Sequence, residues 1–450
     1  MPFLCEFSKA SDQQGKRNIN EKLAGLLCPY YGSVNLHTMG NASIWLSSIG
    51  AESNHGELIE IPANTSRSTH TAWAAIQLTS EGIEFTTDPM GTFPLWVYED
   101  NHQLWVTAEV KSLKAIKGAQ VELKQNLVPT QNDKRPANFS PFLNVRRIQP
   151  GAVLLVTHDL QVVEKGGLPL VYQPDAYYNE QDLAKVDLAQ ALVLSADAVP
   201  NRQGGWGTFL SGGIDSSTAT ALLAKRRESL STYTLGTQFG DEYADAKDLA
   251  DYLQLDHNEV FADEDQAIQC FKRAIFCNET IDGLTAETLA QLIVLTQAAS
   301  STVKNIVTGY GADLLFGSML RHELYMKVTG VDDLQSLIER TCWSGEFSPF
   351  FAWSLGVEIH HLFWDPNLMN TAFRIPVEWN FDGVREKVLM RSLVVENGWM
   401  QQEHAFRKKH AMTDGTQFNR VLSSALKLED NYSYGRKTEI AVAELSNIFN

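Results

Sequence analysis

An α/β protein in two parts is what the sequence predicts, a sheet-rich first part followed by a second part built on a parallel sheet. Three observations carry this expectation. Up to about residue 175, short runs alternate apolar and polar residues between turns; beyond about 180, helical periods interleave with short apolar strands; and Pro, Asp and Asn cluster between the two textures in VYQPDAYYNEQD. Period-two alternation belongs to half-buried strands, and a strand–helix–strand rhythm to parallel sheets. The boundary is set at 178/179, giving domains 1–178 and 179–450.

In chain order, AIQLTSEGIEFTTDP, LWVYEDNHQLWVTAEV and GAVLLVTHDLQVVEK predict short strands separated by turns in the first part. In the second, EQDLAKVDLAQALVLSADAV predicts a helix, and GWGTFL (205–210), LSTYTLGT (230–237) and NIVTGYG (305–311) predict strands. A chain of 450 residues exceeds one ordinary core, which agrees with two domains. With 44% hydrophobic and 20% charged residues it groups with soluble globular chains rather than disordered ones.

Lys and Arg number 37 against 54 Asp and Glu, and the net charge of -17 repels phosphate backbones and anionic membranes. Neither nucleic acid nor membrane is an expected partner; a homo-oligomer is left open. The start, MPFLCEFSKASDQQGKRN, lacks the apolar core of a signal peptide, and no later stretch stays apolar for the ~20 residues of a spanning helix, so a cytoplasmic protein is expected. Cys5, Cys28, Cys270, Cys277 and Cys342 are odd in number and have no CxxC or Cys/His spacing, which predicts buried free thiols.

The strongest motif is Ser211-Gly212-Gly213-Ile214-Asp215-Ser216-Ser217, placed after GWGTFL and before a helical run in which Ala219, Leu222 and Leu223 share a face. Paired glycines let backbone approach an anion closely, and the free N–H groups of a helix N-terminus favour its charge. The motif lacks the GK[ST] ending of a Walker A loop. In its strand–loop–helix setting it is instead similar to the pyrophosphate loop of N-type ATP pyrophosphatases. A second motif, Gly309-Tyr310-Gly311-Ala312-Asp313, closes the strand NIVT. There Asp313 could meet Asp215 across the crevice at the carboxyl ends of the strands, and two carboxylates with ATP phosphates suit Mg²⁺.

SGGIDSS followed by TGYGADLLFG resembles the asparagine-synthetase superfamily, and more narrowly its β-lactam and carbapenam synthetases. The tyrosine of TGYGAD narrows the match. The resemblance implies an N-terminal-hydrolase-like αββα sandwich, packed on a PP-loop (adenine nucleotide alpha hydrolase-like) synthetase domain. It implies Tyr310 and Glu346, in CWSGEFSP, as the catalytic pair that deprotonates a substrate amine, and Lys409, in RKKHAMTDGT, as the cation on the developing oxyanion. Ser211, Gly212, Gly213, Asp215, Ser216, Ser217, Leu235, Gly236, Gly309 and Lys387 are the implied ATP-binding residues, with Lys387 sent from a helix toward the phosphates. Asp215 and Asp313 are the implied Mg²⁺ ligands.

The first part resembles the glutamine-hydrolysing domain of the same superfamily in DPMGTFPLWVYED, TAEVKSLKAI and RIQPGAVLLV, but its nucleophile is missing. Met1 is followed by Pro2, and Cys5 stands too far in to become a terminal cysteine. No ammonia is therefore expected, and an amine within a small amino-acid-like substrate would attack the adenylate. The implied function is ATP-dependent β-lactam formation in antibiotic biosynthesis. Its rivals are an ammonia-using asparagine synthetase, a lasso-peptide macrocyclase and a non-catalytic nucleotide-binding module. His360 and His361 are expected to be structural; Asp241 and Glu242 could face a cation or form a polar loop.

Overall fold

The computed structural model describes residues 3–7, 18–19, 21–23, 34–47, 52–54, 58–61, 72–100, 104–116, 118–128, 134–167, 174–316, 331–407 and 415–450. The first part builds two six-stranded antiparallel sheets. One runs in the order Val145–Arg147, Trp96–Glu99, Leu104–Thr107, Phe3–Phe7, Ala42–Ser47, Val34–Met39. The other runs Val162–Gly166, Ala152–Thr157, Gly82–Thr87, Ala74–Leu78, Leu58–Ile61, Glu52–Asn54. They pack face to face: Phe85 of the second sheet sits 5.6 Å from Phe3 and 6.1 Å from Phe7 of the first, ring to ring. Such pairs add about 0.5–1.5 kcal/mol to the area they bury.

Among the described residues, the expected αββα sandwich is represented by two facing sheets alone. Among the described residues, helical turns in this half are confined to 18–19, 21–23 and the 3-10 turn Val110–Ala115. Much of the described chain is used in tight hairpins, such as 74–78 with 82–87 and 152–157 with 162–166.

The second part is a parallel sheet in the order Leu230–Thr237, Trp206–Phe209, Asn305–Thr308, Glu358–His361. Asp256–Ala262 pairs parallel with Leu230–Thr237, and the short Gly240–Asp241 strand turns back on it. Trp206–Phe209 and Asn305–Thr308 are buried throughout, as strands covered on both faces must be. The chain leaves Trp206–Phe209 to one side for Leu230–Thr237 and returns on the other for Asn305–Thr308. That reversal opens a crevice at the carboxyl ends of these two strands. Helix Ile214–Ala224 begins at this edge, and Gly283–Ala299, apolar nearly all round, is buried along most of its length.

One hydrophobic cluster spans the two halves. Phe93 meets Phe350 at 5.9 Å and Trp353 at 6.0 Å, and Phe142 meets Phe449 at 5.2 Å. Polar contacts cross the same boundary: the Val110 and Lys111 backbone N–H groups donate to the Glu279 carboxylate at 2.7 and 2.5 Å. The fully buried Lys111 ammonium donates to Glu109. Among the described residues no helix is long and apolar enough to cross a membrane.

Candidate active site

Strand Trp206–Phe209 delivers the chain to Ser211–Gly213, and helix Ile214–Ala224 starts immediately after. Gly212 adopts φ +72°, and a Cβ there would lie 2.7–2.8 Å from Asp245, so glycine alone suits the turn. The loop is tied internally: Ser216 Oγ accepts from the Ser211 N–H at 3.1 Å and donates to the Gly213 carbonyl at 3.1 Å. The Ser211 and Ser216 hydroxyls lie 3.0 Å apart. Asp215 falls in the first helical turn.

The second loop, Gly309–Gly311, rests directly on that turn. A Cβ on Gly309 would come within 2.5 Å of the Asp215 carbonyl and the Ser216 nitrogen, so the close approach requires glycine. It brings Asp313 beside Asp215, and one ammonium joins them: Lys387 Nζ donates to both Asp215 oxygens and to Asp313 Oδ1, each at 2.6 Å. Lys387 is wholly buried and does not lie within a helix as expected. It occupies the position just before helix Val388–Glu396, with φ +58°, a left-handed conformation costly for a residue with a Cβ. Two carboxylates that converge on one cationic point are the oxygen donors that Mg²⁺ takes alongside nucleotide phosphates, so the residues present fit that ion.

Tyr310, in the same loop, donates its hydroxyl to Glu346 Oε1. Glu346 follows helix Val331–Trp343 through a turn at Gly345, φ +72°, and is buried. Its other oxygen accepts from Thr285 Oγ1 at 3.1 Å and from Arg340 at 3.3 Å. Burial first, and then the nearby Asp282 carboxylate, push the Glu346 carboxyl up to about 8, against the Thr285 hydrogen bond. Behind the tyrosine, Phe347 packs at 5.1 Å and His361 at 5.9 Å. Burial pushes His361 down to about 3, so it is neutral, with Nδ1 2.8 Å from the Thr308 hydroxyl. His360 is buried with its ring stacked on Trp206.

These groups surround one cavity of about 240 Å³. Ser211, Gly213, Asp215, Ser216, Leu235, Gly309, Tyr310, Asp313 and Glu346 line it, and Phe209, Tyr233, Leu284, Leu292 and Leu295 add an apolar wall. Gly212, Ser217, Gly236 and Lys387 are not among its lining residues. Ser217 is buried, Gly236 packs against the Tyr243 ring, and Lys387 reaches the site through the two aspartates. Lys409 lies outside the described residues. Glu242 also lines the cavity, whereas Asp241 belongs to the short strand beside it. Sequence reading missed Arg340, Asp282 and Thr285. The only local signal was Asp282 three residues before Thr285, the spacing of a helix cap, and Asp282 does accept the Thr285 N–H at 2.8 Å.

A glycine-rich loop at the head of a helix, beside a buried tyrosine–glutamate hydrogen bond, sits in the stretch that matches a known family: residues 191–343 match the asparagine synthase family, whose enzymes use ATP. Within that superfamily the chain is similar to the β-lactam synthetase group, at low identity. It is 23% identical to the carboxyethyl-arginine beta-lactam-synthase of Streptomyces clavuligerus, over 72% of this chain and 61% of that protein. It is 24% identical to the glutamine-hydrolyzing asparagine synthetase of Zea mays, over 48% of this chain and 40% of that protein. The chain thus spans less than two thirds of these relatives' lengths. A solved NMN synthetase from Francisella tularensis aligns with a TM-score of 0.23 and 14% identity, over 55% of this chain and 95% of that one, a likeness too distant to bear on the fold.

Proposed function

We propose that this chain is an ATP- and Mg²⁺-dependent cyclo-ligase that closes a β-lactam ring through an acyl-adenylate, in the biosynthesis of a β-lactam natural product. The observation that carries the reading is the Tyr310–Glu346 hydrogen bond on the wall of the cavity that Asp215 and Asp313 also line. A substrate amine is protonated near neutral pH and must lose a proton to attack. A base with its carboxyl at about 8 is matched to that task.

In the first step a substrate carboxylate oxygen attacks the α-phosphorus of ATP, forming the acyl-adenylate and expelling pyrophosphate. The Ser211–Ser216 loop and the helix N-terminus hold the phosphates, and Asp215 and Asp313 would supply oxygens to Mg²⁺, which would neutralise charge on the leaving group. In the second step the amine nitrogen attacks the acyl carbon, its proton passes by way of Tyr310 to Glu346, and AMP leaves with the bonding electron pair. Lys409 is assigned to the charge that develops on the acyl oxygen. The four-membered ring is strained, so adenylation must drive its closure.

We assign the first half, 1–178, to the amidotransferase-like type without its chemistry, and 179–450 to the synthetase. Two facing sheets support the former. So does Cys5, which is buried in a strand with its thiol pushed well up by burial and then by Glu6, unsuited to act as a nucleophile. A cytoplasmic location and a small amino-acid-like substrate complete the reading.

The test is incubation with ATP, Mg²⁺ and carboxyethyl-arginine, read by mass spectrometry. AMP, pyrophosphate and a product lacking one water are expected. ADP as the main product would overturn the reading, and an amide made only with added ammonia would favour an asparagine-synthetase activity.

A further inference from the structure

We infer that Arg340 is a positioning residue for amide formation: held by Asp282, it fixes the Glu346 carboxylate so that one oxygen faces Tyr310. The inference rests on the reading of Tyr310 and Glu346 as the proton-accepting pair.

The last torsion of a glutamate side chain is broad and nearly two-fold, so a carboxylate does not by itself choose which oxygen it presents. Here the two oxygens are divided. Oε1 takes the Tyr310 hydroxyl, while Oε2 takes Arg340 Nη2 at 3.3 Å and Thr285 Oγ1 at 3.1 Å. Arg340 is itself fixed, since Nε and Nη2 fork onto the Asp282 carboxylate at 3.3 and 3.2 Å. Asp282 in turn caps helix Gly283–Ala299 through the Thr285 N–H. A helix end thus orients a carboxylate, the carboxylate a guanidinium, and the guanidinium the base. Only a planar fork can hold Asp282 at two atoms and still reach Glu346.

Charge gives the arrangement a second effect. The groups facing Glu346 are Tyr310 from the Gly309–Gly311 loop, Asp282 from the head of Gly283–Ala299, and Arg340 from Val331–Trp343; neutral His361 stands behind the tyrosine. Asp282, Arg340 and Glu346 are all nearly inaccessible to solvent. Without the guanidinium, two neighbouring carboxylates would share a buried site, and one would hold its proton into the alkaline range.

The experiment reads the Glu346 carboxyl directly by carbon-13 NMR of side-chain-labelled glutamate, assigned by comparison with Glu346→Gln, with no substrate present. Arg340→Met should raise its titration midpoint by about one to three pH units, and Arg340→Lys should return it toward the wild-type value. Should Arg340→Met not fold, Arg340→Gln, which retains hydrogen-bond donors for Asp282 and Thr285, serves in its place with the same expected rise. With carboxyethyl-arginine and ATP, amide formation near pH 7 should fall at least about tenfold for a one-unit rise and recover at higher pH, while ATP–pyrophosphate exchange persists. A folded neutral variant whose midpoint matches the wild type would overturn the inference. Failure of the proposed function appears differently, as wild-type protein that makes no AMP.

Discussion

The ammonium of Lys387 bonds both carboxylate oxygens of Asp215, a residue 172 positions earlier in the chain, at 2.6 Å each. The same nitrogen reaches Asp313, so a buried lysine occupies the point where a cation is wanted. Lys387→Met should therefore let Mg²⁺ alone raise the melting temperature more in the variant than in the wild type, because the ion no longer competes with an ammonium. Turnover of ATP should fall by about a hundredfold, the scale of losing one preorganised charge. Thermal melts with and without Mg²⁺ check the first point, and an equal response in both proteins would remove this carboxylate pair from consideration as a metal site.

Glu346 can accept a proton only when ionised. With its carboxyl raised to about 8, the rate of amide formation should climb with pH up to about 8 and then level. Glu346→Gln should abolish that climb and, like Tyr310→Phe, slow amide formation by ~10²–10⁴-fold while sparing ATP–pyrophosphate exchange. Losses below about tenfold in both variants would reduce the two side chains to packing.

Gly309→Ala places a methyl group within 2.5 Å of backbone atoms of Asp215 and Ser216, which cannot yield as a flexible side chain would. The expected cost is about 1–3 kcal/mol, with the Tyr310 loop displaced from the start of helix Ile214–Ala224. Calorimetry of ATP binding should show weaker affinity in a protein that melts earlier.

Glu279 carries a carboxyl raised to about 7, chiefly by burial, with Glu109 adding to the rise and Lys111 opposing it. A folded-state value above the unfolded one means that this residue's contribution to stability is complete below about pH 4.5 and is lost as pH climbs through about 7. Glu279→Gln has no such titration. Its urea midpoint should change less than that of the wild type between these two pH values, and parallel changes in both proteins would count against the assignment.

What the sequence made legible is local. The strand LSTYTLGT is found at Leu230–Thr237 as expected, and the helix expected over 180–199 is found at Gln181–Ala198, because periodicity and flanking turns mark such elements within a few residues. The Ser211–Ser217 loop and the Gly309–Asp313 segment were visible for the same reason, since glycine and aspartate at fixed spacing reflect backbone demands. Arg340, Asp282 and Thr285 carried no comparable mark. They come from two different helices, and their role exists only once the chain has brought those helices together. The order of the strands in the first two sheets was likewise out of reach, since alternation tells a strand which face is buried but not which neighbour it takes.

The end of helix Glu264–Asn278 joins the two halves of this protein through adjacent residues. Asn278 donates to the Gly345 and Ser348 carbonyls at 2.9 Å each, on either side of Glu346, while Glu279 receives the backbone N–H groups of residues 110 and 111. The first half therefore contributes to the setting of Glu346 through Glu279 and Asn278. Chimeras between relatives would have to exchange residues 109–111 together with 278–279, and a lineage could shed its first half only by rebuilding Glu279 and the turn around Glu346 at the same time.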